Sequence, residues 1–304
     1  MLNLLYRINF SVRRLKVYFI LSSIANLVIT TFYKFSFKFK NSGVNHKERE
    51  KKIIVSLTTF PGRINVVWIA IESLLRQSVK PDKIILWLAD SQFDSIESLP
   101  KRLQAQQSRG LTIKFCEDLR SHKKYYYTFN DYPNDLIITV DDDVIYPTKT
   151  VEVLVNTHVK HPYSICCNRG HLMTLNKDNT LKSYKNWGYN PLDFTGPSKF
   201  LCPTGVSGVL YPPNSVNQEV FNRENIRSLC FYADDLWLKV MSLMNNTQVV
   251  KTKDFPHYLF TISTSQKESL GQLNIENNQN DEQLINLLHT YDIQLNNQLI
   301  KDLS

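Results

Sequence analysis

Three consecutive carboxylates, Asp141-Asp142-Asp143, directly follow the apolar run Leu136-Ile137-Ile138-Thr139-Val140. A short continuous apolar run reads as a strand buried on both faces. The carboxyl end of such a strand is where open α/β sheets bind ligands. With period-two alternation, Asp141 and Asp143 point to one side and Asp142 to the other. Two carboxylates about 6 Å apart repel by roughly 3 kcal/mol at an effective dielectric of about 20. A hard divalent cation relieves that repulsion when one or two carboxylates hold it and diphosphate oxygens complete its shell. The alternative is a solvated acidic turn, since Asp is common in turns and Tyr146-Pro147 follows. The buried strand immediately before the triplet favours the cation.

A second acidic motif is Asp234-Asp235, in Ala233-Asp234-Asp235-Leu236-Trp237. Its plain explanation is a helix start, where the dipole favours carboxylates and Asp234 would be the N-cap. Basic candidates on the same sheet edge are Arg63, Lys123 and Lys124, with Lys124 preferred over Lys123; as plain lysines, the latter two would be solvated surface. A nucleotide diphosphate would use both sets, a cation on the acidic motif and a basic side chain on its phosphates.

Elements that could hold these residues follow from periodicity. Ile53 to Thr58 reads as a first strand, and Thr59-Phe60-Pro61-Gly62-Arg63 as a loop. Ile64, Val67, Trp68, Ile71, Leu74 and Leu75 recur at helical spacing, predicting a helix from Ile64 to Gln77. Lys83 to Leu88 is a second strand ending near Asp90, followed by a weaker helix over Ile96 to Ser108. Leu111 to Cys116 is a third strand and Leu136 to Val140 a fourth. Strands alternating with helices imply a mostly parallel sheet in an α/β layer architecture. Right-handed crossovers put the loops after these strands on one edge. In the second half Val151 to Val159 reads as a helix and Ser164 to Cys167 as a strand. Gly205 to Pro213 reads as a glycine-punctuated strand approached closely by a ligand or neighbour. Asp234-Asp235 opens a helix with Leu236, Val240, Leu243 and Met244 on its apolar face. Gln266 to Asn280 reads as irregular, with a short helix over Asp281 to His289.

Charge divides the chain unevenly. Residues 1–52 hold eleven Lys or Arg and two Glu, a net of +9, so the other 252 of the 304 residues carry −1 of the total +8. A nearly neutral body argues against a basic nucleic-acid groove. The basic arm suits an anionic membrane surface. Within it, Val17 to Tyr33 is a run of seventeen uncharged residues, marginal for a span, which needs about 20. Ser22, Asn26 and Thr30 recur every four residues, with Ser23 adjacent, and form a polar stripe along a helix. Basic residues on both sides give no orientation, so the expectation is an interfacial amphipathic helix on the cytoplasmic face, rather than a signal-anchor or a helix simply packed on the body. No small-x-small cleavage site follows the run. Asn41 to Lys52 reads as a linker. The five cysteines are odd in number and lack a CxxC, so neither a zinc site nor a redox motif is indicated, which suits a reducing cytosol.

In this setting the chain resembles the GT-A glycosyltransferases, in particular bacterial family-2-type enzymes that build surface polysaccharides. The resemblance spans about residues 53 to 285. It rests on five ordered segments: Ser56 to Arg63, Lys123-Lys124-Tyr125, Asp141 to Pro147, Gly205 to Pro213 and Ala233 to Trp237. It implies a GT-A fold over 53–304, with a nucleotide-sugar half at 53–147 and an acceptor half at 148–304. It implies a hexosyltransferase type of enzyme that moves a sugar from a nucleotide-sugar donor to a saccharide or lipid-linked saccharide acceptor. Asp141 and Asp143 would hold Mn2+ or Mg2+. Thr58, Arg63, Asp90, Lys123, Lys124 and Asp142 would contact the nucleotide sugar, Asp90 from the place that usually meets the nucleobase. The family's later acidic pair is of the ED type. Here it is Asp234-Asp235, and Asp235 would be the base that deprotonates the acceptor in an inverting displacement.

Two other classes compete. A phosphohydrolase of the haloacid dehalogenase type also places DxD after a buried strand. In that class, however, it follows the first strand of the domain, whereas three strand-helix units precede it here. A non-catalytic nucleotide-sugar-binding protein on the same scaffold is the other, since fold alone does not establish activity. Retention of both acidic motifs argues for catalysis.

Overall fold

The computed structural model describes residues 6, 15–36, 41–262 and 279–295. Apolar, β-branched runs form the centre of the molecule. In chain order the elements are α1 (Leu15–Ser36), β1 (Ile53–Thr58), α2 (Val67–Leu74), β2 (Lys83–Ala89), α3 (Lys101–Ala105), β3 (Leu111–Cys116), α4 (Lys123–Asp131), β4 (Leu136–Thr139) and β5 (Val144–Ile145). They continue with α5 (Thr150–Lys160), β6 (Ile165–Cys167), β7 (Gly170–Leu172), β8 (Leu201–Pro203), β9 (Val209–Tyr211), α6 (Arg223–Leu229), α7 (Asp234–Met244), β10 (Val249–Lys251), β11 (Phe260–Thr261) and α8 (Gln279–Thr290).

Among the described residues the main sheet has seven strands in the order β10-β6-β9-β4-β1-β2-β3. All its pairings are parallel except those that β9 makes with β4 and β6. This is an α/β fold with a mixed, mostly parallel central sheet flanked by helices. The sheet is covered on both faces, so its central strands are apolar almost throughout. Ile54, Val55 and Leu57 of β1 and Ile84 to Leu86 of β2 are fully buried. One core cluster joins these strands to α2. Another gathers β9, α7 and α8 around Trp237.

The sheet order places the site. From β1 the chain runs outward to β2 and β3, then returns to β4 on the other side of β1. The loops after β1 and β4 therefore leave adjacent strands at the carboxyl edge of the sheet, the edge where open α/β sheets bind ligands. The acidic triplet leaves β4 at that edge.

Several predicted elements are shorter than expected. The helix expected from Ile64 begins at Val67, because Pro61 to Val66 is spent in tight turns, with Arg63 N–H donating to Phe60 O and Val66 N–H to Arg63 O. The helix expected over Ile96 to Ser108 starts only after Pro100 and tightens into a 3-10 turn at Gln106–Arg109. The chain then turns at Gly110, whose φ of +113° suits glycine, while Val44 fills the space a side chain would need. Gly205 to Pro213 is not one strand. Gly205–Ser207 is a 3-10 turn, Gly208 takes φ +93°, and only Val209–Tyr211 pairs, antiparallel, in the sheet. At α7 the N-cap is Ala233, not Asp234, which already lies in the first turn. The irregular stretch expected over Gln266 to Asn280 falls almost wholly outside the described residues, and the helix after it is Gln279–Thr290.

The N-terminal helix holds to the body. Ser22, Ala25, Asn26, Ile29 and Tyr33 are buried, and Asn26 Nδ2 donates to Thr261 O at 2.7 Å. Of the polar stripe, Ser22 and Asn26 thus face protein, while Ser23 is exposed and Thr30 half-buried. Residues 41–52 also run along the body, with Gly43 N–H bonded to Arg109 O and Asn45 N–H to Pro81 O. Among the described residues no helix is long and apolar enough to cross a membrane. All five cysteines are buried and free.

Candidate functional site

Beyond Thr139 the chain bends instead of continuing as strand, so the alternating display of the triplet is not kept. Asp142 turns inward. Thr59 Oγ1 donates to its Oδ2 at 2.6 Å, and Arg63 donates to its Oδ1 at 2.6 Å. The same guanidinium lies 3.1 Å from Asp143 Oδ2 and stacks over the Phe60 ring. The loop after β1 is therefore tied to the loop after β4 by one Arg and one Thr. Burial would lower the Arg63 pKa, but the charges of Asp142 and Asp143 outweigh it and raise it.

Asp141 faces a different partner. Lys124, in the first turn of α4, donates from Nζ to Asp141 Oδ1 at 2.7 Å and lies 2.8 Å from Asp234 Oδ2. Its side chain is only 5% exposed, while that of Asp141 is 31% exposed, so the bridge is roofed on one side and open on the other. Burial alone would lower the Lys124 pKa. Asp141, Asp234 and Asp235 reverse this and hold it well above its usual value. Lys124 thus joins both acidic motifs.

Gly205 sits where these groups converge. Its N–H donates to both carboxylate oxygens of Asp235, each at 3.0 Å. A Cβ placed on it would lie 2.9 Å from Lys124 Nζ, 3.1 Å from Asp235 Oδ1 and 3.4 Å from Asp141 Oδ1. The close neighbours anticipated for this glycine are the acidic motifs themselves. Tyr146 locks the other side: its hydroxyl accepts from Asp141 N–H at 2.8 Å and donates to Val206 O at 3.1 Å.

The two members of the second pair are differentiated. Burial would raise the Asp234 pKa, but the charge of Lys124 overrides it and holds the group below the usual range. Asp235 is raised to about 7, first by burial and then by the charge of Asp234. Asp143 is likewise raised to about 7 by burial, with Asp142 and Asp141 adding to it against Arg63. His122, whose Nδ1 and Nε2 meet Tyr125 Oη and Cys230 O, is held neutral by burial, with its pKa lowered to about 4.

Other candidates lie apart from this network. Lys123 is paired with Asp118. Asp90, exposed at the end of β2, engages its backbone N–H with Cys116 O. The Thr58 hydroxyl donates to Trp87 O at 2.8 Å. Thr59, Tyr146 and Gly205 received no individual role from the sequence, although each lies within or beside a motif. Only pairing across the sheet order reveals their partners. An aromatic group was also missed. Arg169 stacks over the exposed ring of Tyr189, which stacks on His171. The Arg169 carbonyl accepts from Thr204 N–H at 3.1 Å, next to Gly205.

Asp141 and Asp143 are the carboxylates that the sequence offers to a divalent cation; here Lys124 meets Asp141 and Arg63 meets Asp143. Five carboxylates, Asp141, Asp142, Asp143, Asp234 and Asp235, crowd around two cationic side chains, Arg63 and Lys124, an excess of acid that a divalent cation would offset. Among the described residues no group of three or more His, Cys, Asp or Glu is arranged to hold a metal. A site of two carboxylates completed by ligand phosphates needs no such group.

No family model matches the chain, and no curated protein does. Among solved structures it is similar to a mannosyltransferase from Pyrobaculum calidifontis in complex with GDP-Man and Mn2+, at 11% identity and TM-score 0.47, over 90% of this chain and 74% of that one. It is also similar to residues 1–349 of TarS from S. aureus, at 14% identity and TM-score 0.44, over 67% of this chain and 58% of that one. A third similarity is to a 4-diphosphocytidyl-2C-methyl-D-erythritol synthase, at 7% identity and TM-score 0.41, over 75% of this chain and 99% of that one.

Proposed function

We propose that the chain is a metal-dependent glycosyltransferase of GT-A type, moving a sugar from a nucleotide-sugar donor to a saccharide or lipid-linked saccharide acceptor with inversion. The observation that carries this reading is the convergence on Gly205: Asp141 from the end of β4, Asp235 from α7 and Lys124 between them. One acidic motif is available to a cation, and the other supplies a carboxylate with a different ionisation.

Mn2+ or Mg2+ on Asp141 and Asp143 would act as a Lewis acid on the leaving diphosphate. Arg63 and Lys124 would meet phosphate oxygens, at the cost of loosening their present carboxylate pairs. Asp235 is the general base. Its pKa, raised to about 7, suits a group that must accept the acceptor's proton near neutral pH. Asp234, paired with Lys124 and held low, is the poorer base and serves to position Lys124. The stacked group of Arg169 and Tyr189 belongs to the half assigned to the acceptor.

Turnover with a panel of nucleotide sugars and saccharide acceptors tests the reading. Asp235→Asn should lose at least about a hundredfold in kcat, the scale of general-base contributions, while donor binding survives. Asp234→Asn should weaken donor binding too. NMR coupling constants of the product should show the anomeric configuration opposite to the donor's. Retention of that configuration would remove Asp235 from its role.

A further inference from the structure

Helix α1 packs on the body through Ala25, Ile29 and Tyr33 together with Ser22 and Asn26, yet it also carries a second apolar face turned away from the body, unlike a helix on a water-soluble surface. Such a helix turns its apolar stripe to the core and its polar residues outward. Here Ser22 and Asn26 are buried against the body, while Ile24, Leu27, Val28 and Phe35 are exposed by 54%, 71%, 42% and 76%. Positions 24, 27, 28 and 35 share one face at 3.6 residues per turn, with Thr31 also exposed among them. The face is not left by a helix that has come away from the protein. Asn26 bonds to Thr261 O, Arg76 Nη2 donates to Ser36 Oγ at 2.9 Å, and the Arg76 guanidinium lies over the Tyr33 ring.

We propose that this face is the surface by which the protein lies on an anionic lipid bilayer, with Leu27 and Phe35 at the acyl boundary. Charge selects this occupant over a second copy of the chain. Lys34 is exposed beside the stripe, and the sequence sets Arg7, Arg13, Arg14 and Lys16 before it and Lys38 and Lys40 after it. Residues 1–52 carry +9 against −1 on the rest of the chain. Two such arms face to face would repel, whereas basic residues flanking an apolar stripe match lipid headgroups above acyl chains. The sequence expectation of an interfacial helix named the partner but not the face. The face with Ser22, Asn26, Ile29 and Tyr33 holds the body, and the opposite apolar face meets the lipid.

The contact has a geometric consequence for the site. Strand β11, to which α1 is bonded, pairs antiparallel with β5, directly after the acidic triplet. Ile262 N–H donates to Asp143 O at 2.7 Å. The bilayer contact and the acidic segment are thus two sides of one short ribbon, and the site is held at a fixed distance from the lipid surface. The membrane contact stands on the helix alone and does not require the proposed catalysis.

The test uses the full chain and vesicles of phosphatidylcholine with or without phosphatidylglycerol. The parent should sediment with anionic vesicles and much less with neutral ones. Leu27→Asp with Phe35→Asp should weaken partitioning by about tenfold or more, given the usual gain from burying such side chains, with an unchanged melting midpoint because both are exposed. Leu27→Trp should show blue-shifted emission on binding and quenching by brominated acyl chains. Unchanged partitioning of the double variant, or an introduced indole that stays unquenched in vesicle-bound Leu27→Trp protein, would overturn the proposal. So would a parent that ignores vesicles and forms a dimer which the double variant dissolves, since a second copy would then own the face.

Discussion

At the residue scale, Gly205 shows how little room the site leaves. A Cβ there would sit 2.9 Å from Lys124 Nζ, the free end of a flexible side chain. Gly205→Ala should therefore fold, but with Lys124 displaced from Asp141 and Asp234. The expected result is a small change in melting midpoint and a loss of about tenfold or more in turnover, a cost of about 1.4 kcal/mol on the barrier. A variant that kept full activity would show that the three-way contact is dispensable. The ionisations make a second prediction. His122 and His171 have pKa values lowered by burial to about 4 and about 3. They bind fewer protons folded than unfolded, so the stability they contribute is present above about pH 6.5 and is lost as the pH falls through their folded values. Asp235 and Asp143, raised to about 7, have the opposite sign: their contribution is full below about pH 4 and is lost as the pH rises through 7. The two pairs oppose one another between these limits. Asp235→Asn removes one opposing group, so its melting midpoint should fall more steeply than the parent's between about pH 6.5 and pH 4.5. Parallel slopes would show that Asp235 is not raised in the metal-free protein.

At the element scale, the site depends on short loops fastened together. Tyr146 binds the backbone at Asp141 to the turn at Val206 and is itself buried beside α2, where its N–H meets Ser73 Oγ at 2.9 Å. Tyr146→Phe keeps the ring and removes the hydroxyl, leaving the partly buried Asp141 N–H and Val206 O without that partner. Chemical denaturation should show a loss of about 1–3 kcal/mol, and turnover should fall because Asp141 loses its backbone anchor. The strands leading into these loops were readable from sequence. Ile53–Thr58, Leu111–Cys116 and most of the fourth strand match their expected limits, because strands buried on both faces leave an unbroken apolar run. The loops were not readable. Lys124 was preferred over Lys123 from the sequence, but which oxygen of Asp142 meets Thr59, and that Lys124 bridges both acidic motifs, depends on a sheet order in which distant segments become neighbours. Asp234 was expected as the N-cap and instead faces Lys124. An ion pair from another helix outweighed a local capping preference of about 1 kcal/mol.

At the scale of the whole molecule, charge and apolar surface divide the labour. We propose residues 1–52 as a membrane-associating arm on a single catalytic unit, 53–304, whose first half meets the donor and whose second meets the acceptor. The sequence exposed the arm's charge, but its helix periodicity left two opposed stripes and no way to tell which faced protein. That choice was made by the carbonyl of Thr261 and by Arg76, both far away in the chain. If the arm serves a lipid-linked acceptor, membrane-bound protein should turn over that acceptor faster than protein released by high salt, with soluble acceptors unaffected. Equal rates on both acceptors would separate attachment from catalysis.

The central claim is that Asp141 and Asp143 hold a divalent cation against a nucleotide diphosphate. Thermal unfolding of the full chain with a panel of nucleotide sugars, with and without Mn2+, tests it most directly, because a ligand bound only by the native state raises the midpoint by mass action. At least one nucleotide sugar should raise the midpoint with Mn2+ and not without it, and Asp143→Asn should abolish that rise while melting no earlier than the parent. A nucleotide-sugar shift that is indifferent to Mn2+, or one that survives intact in Asp143→Asn, would contradict the account.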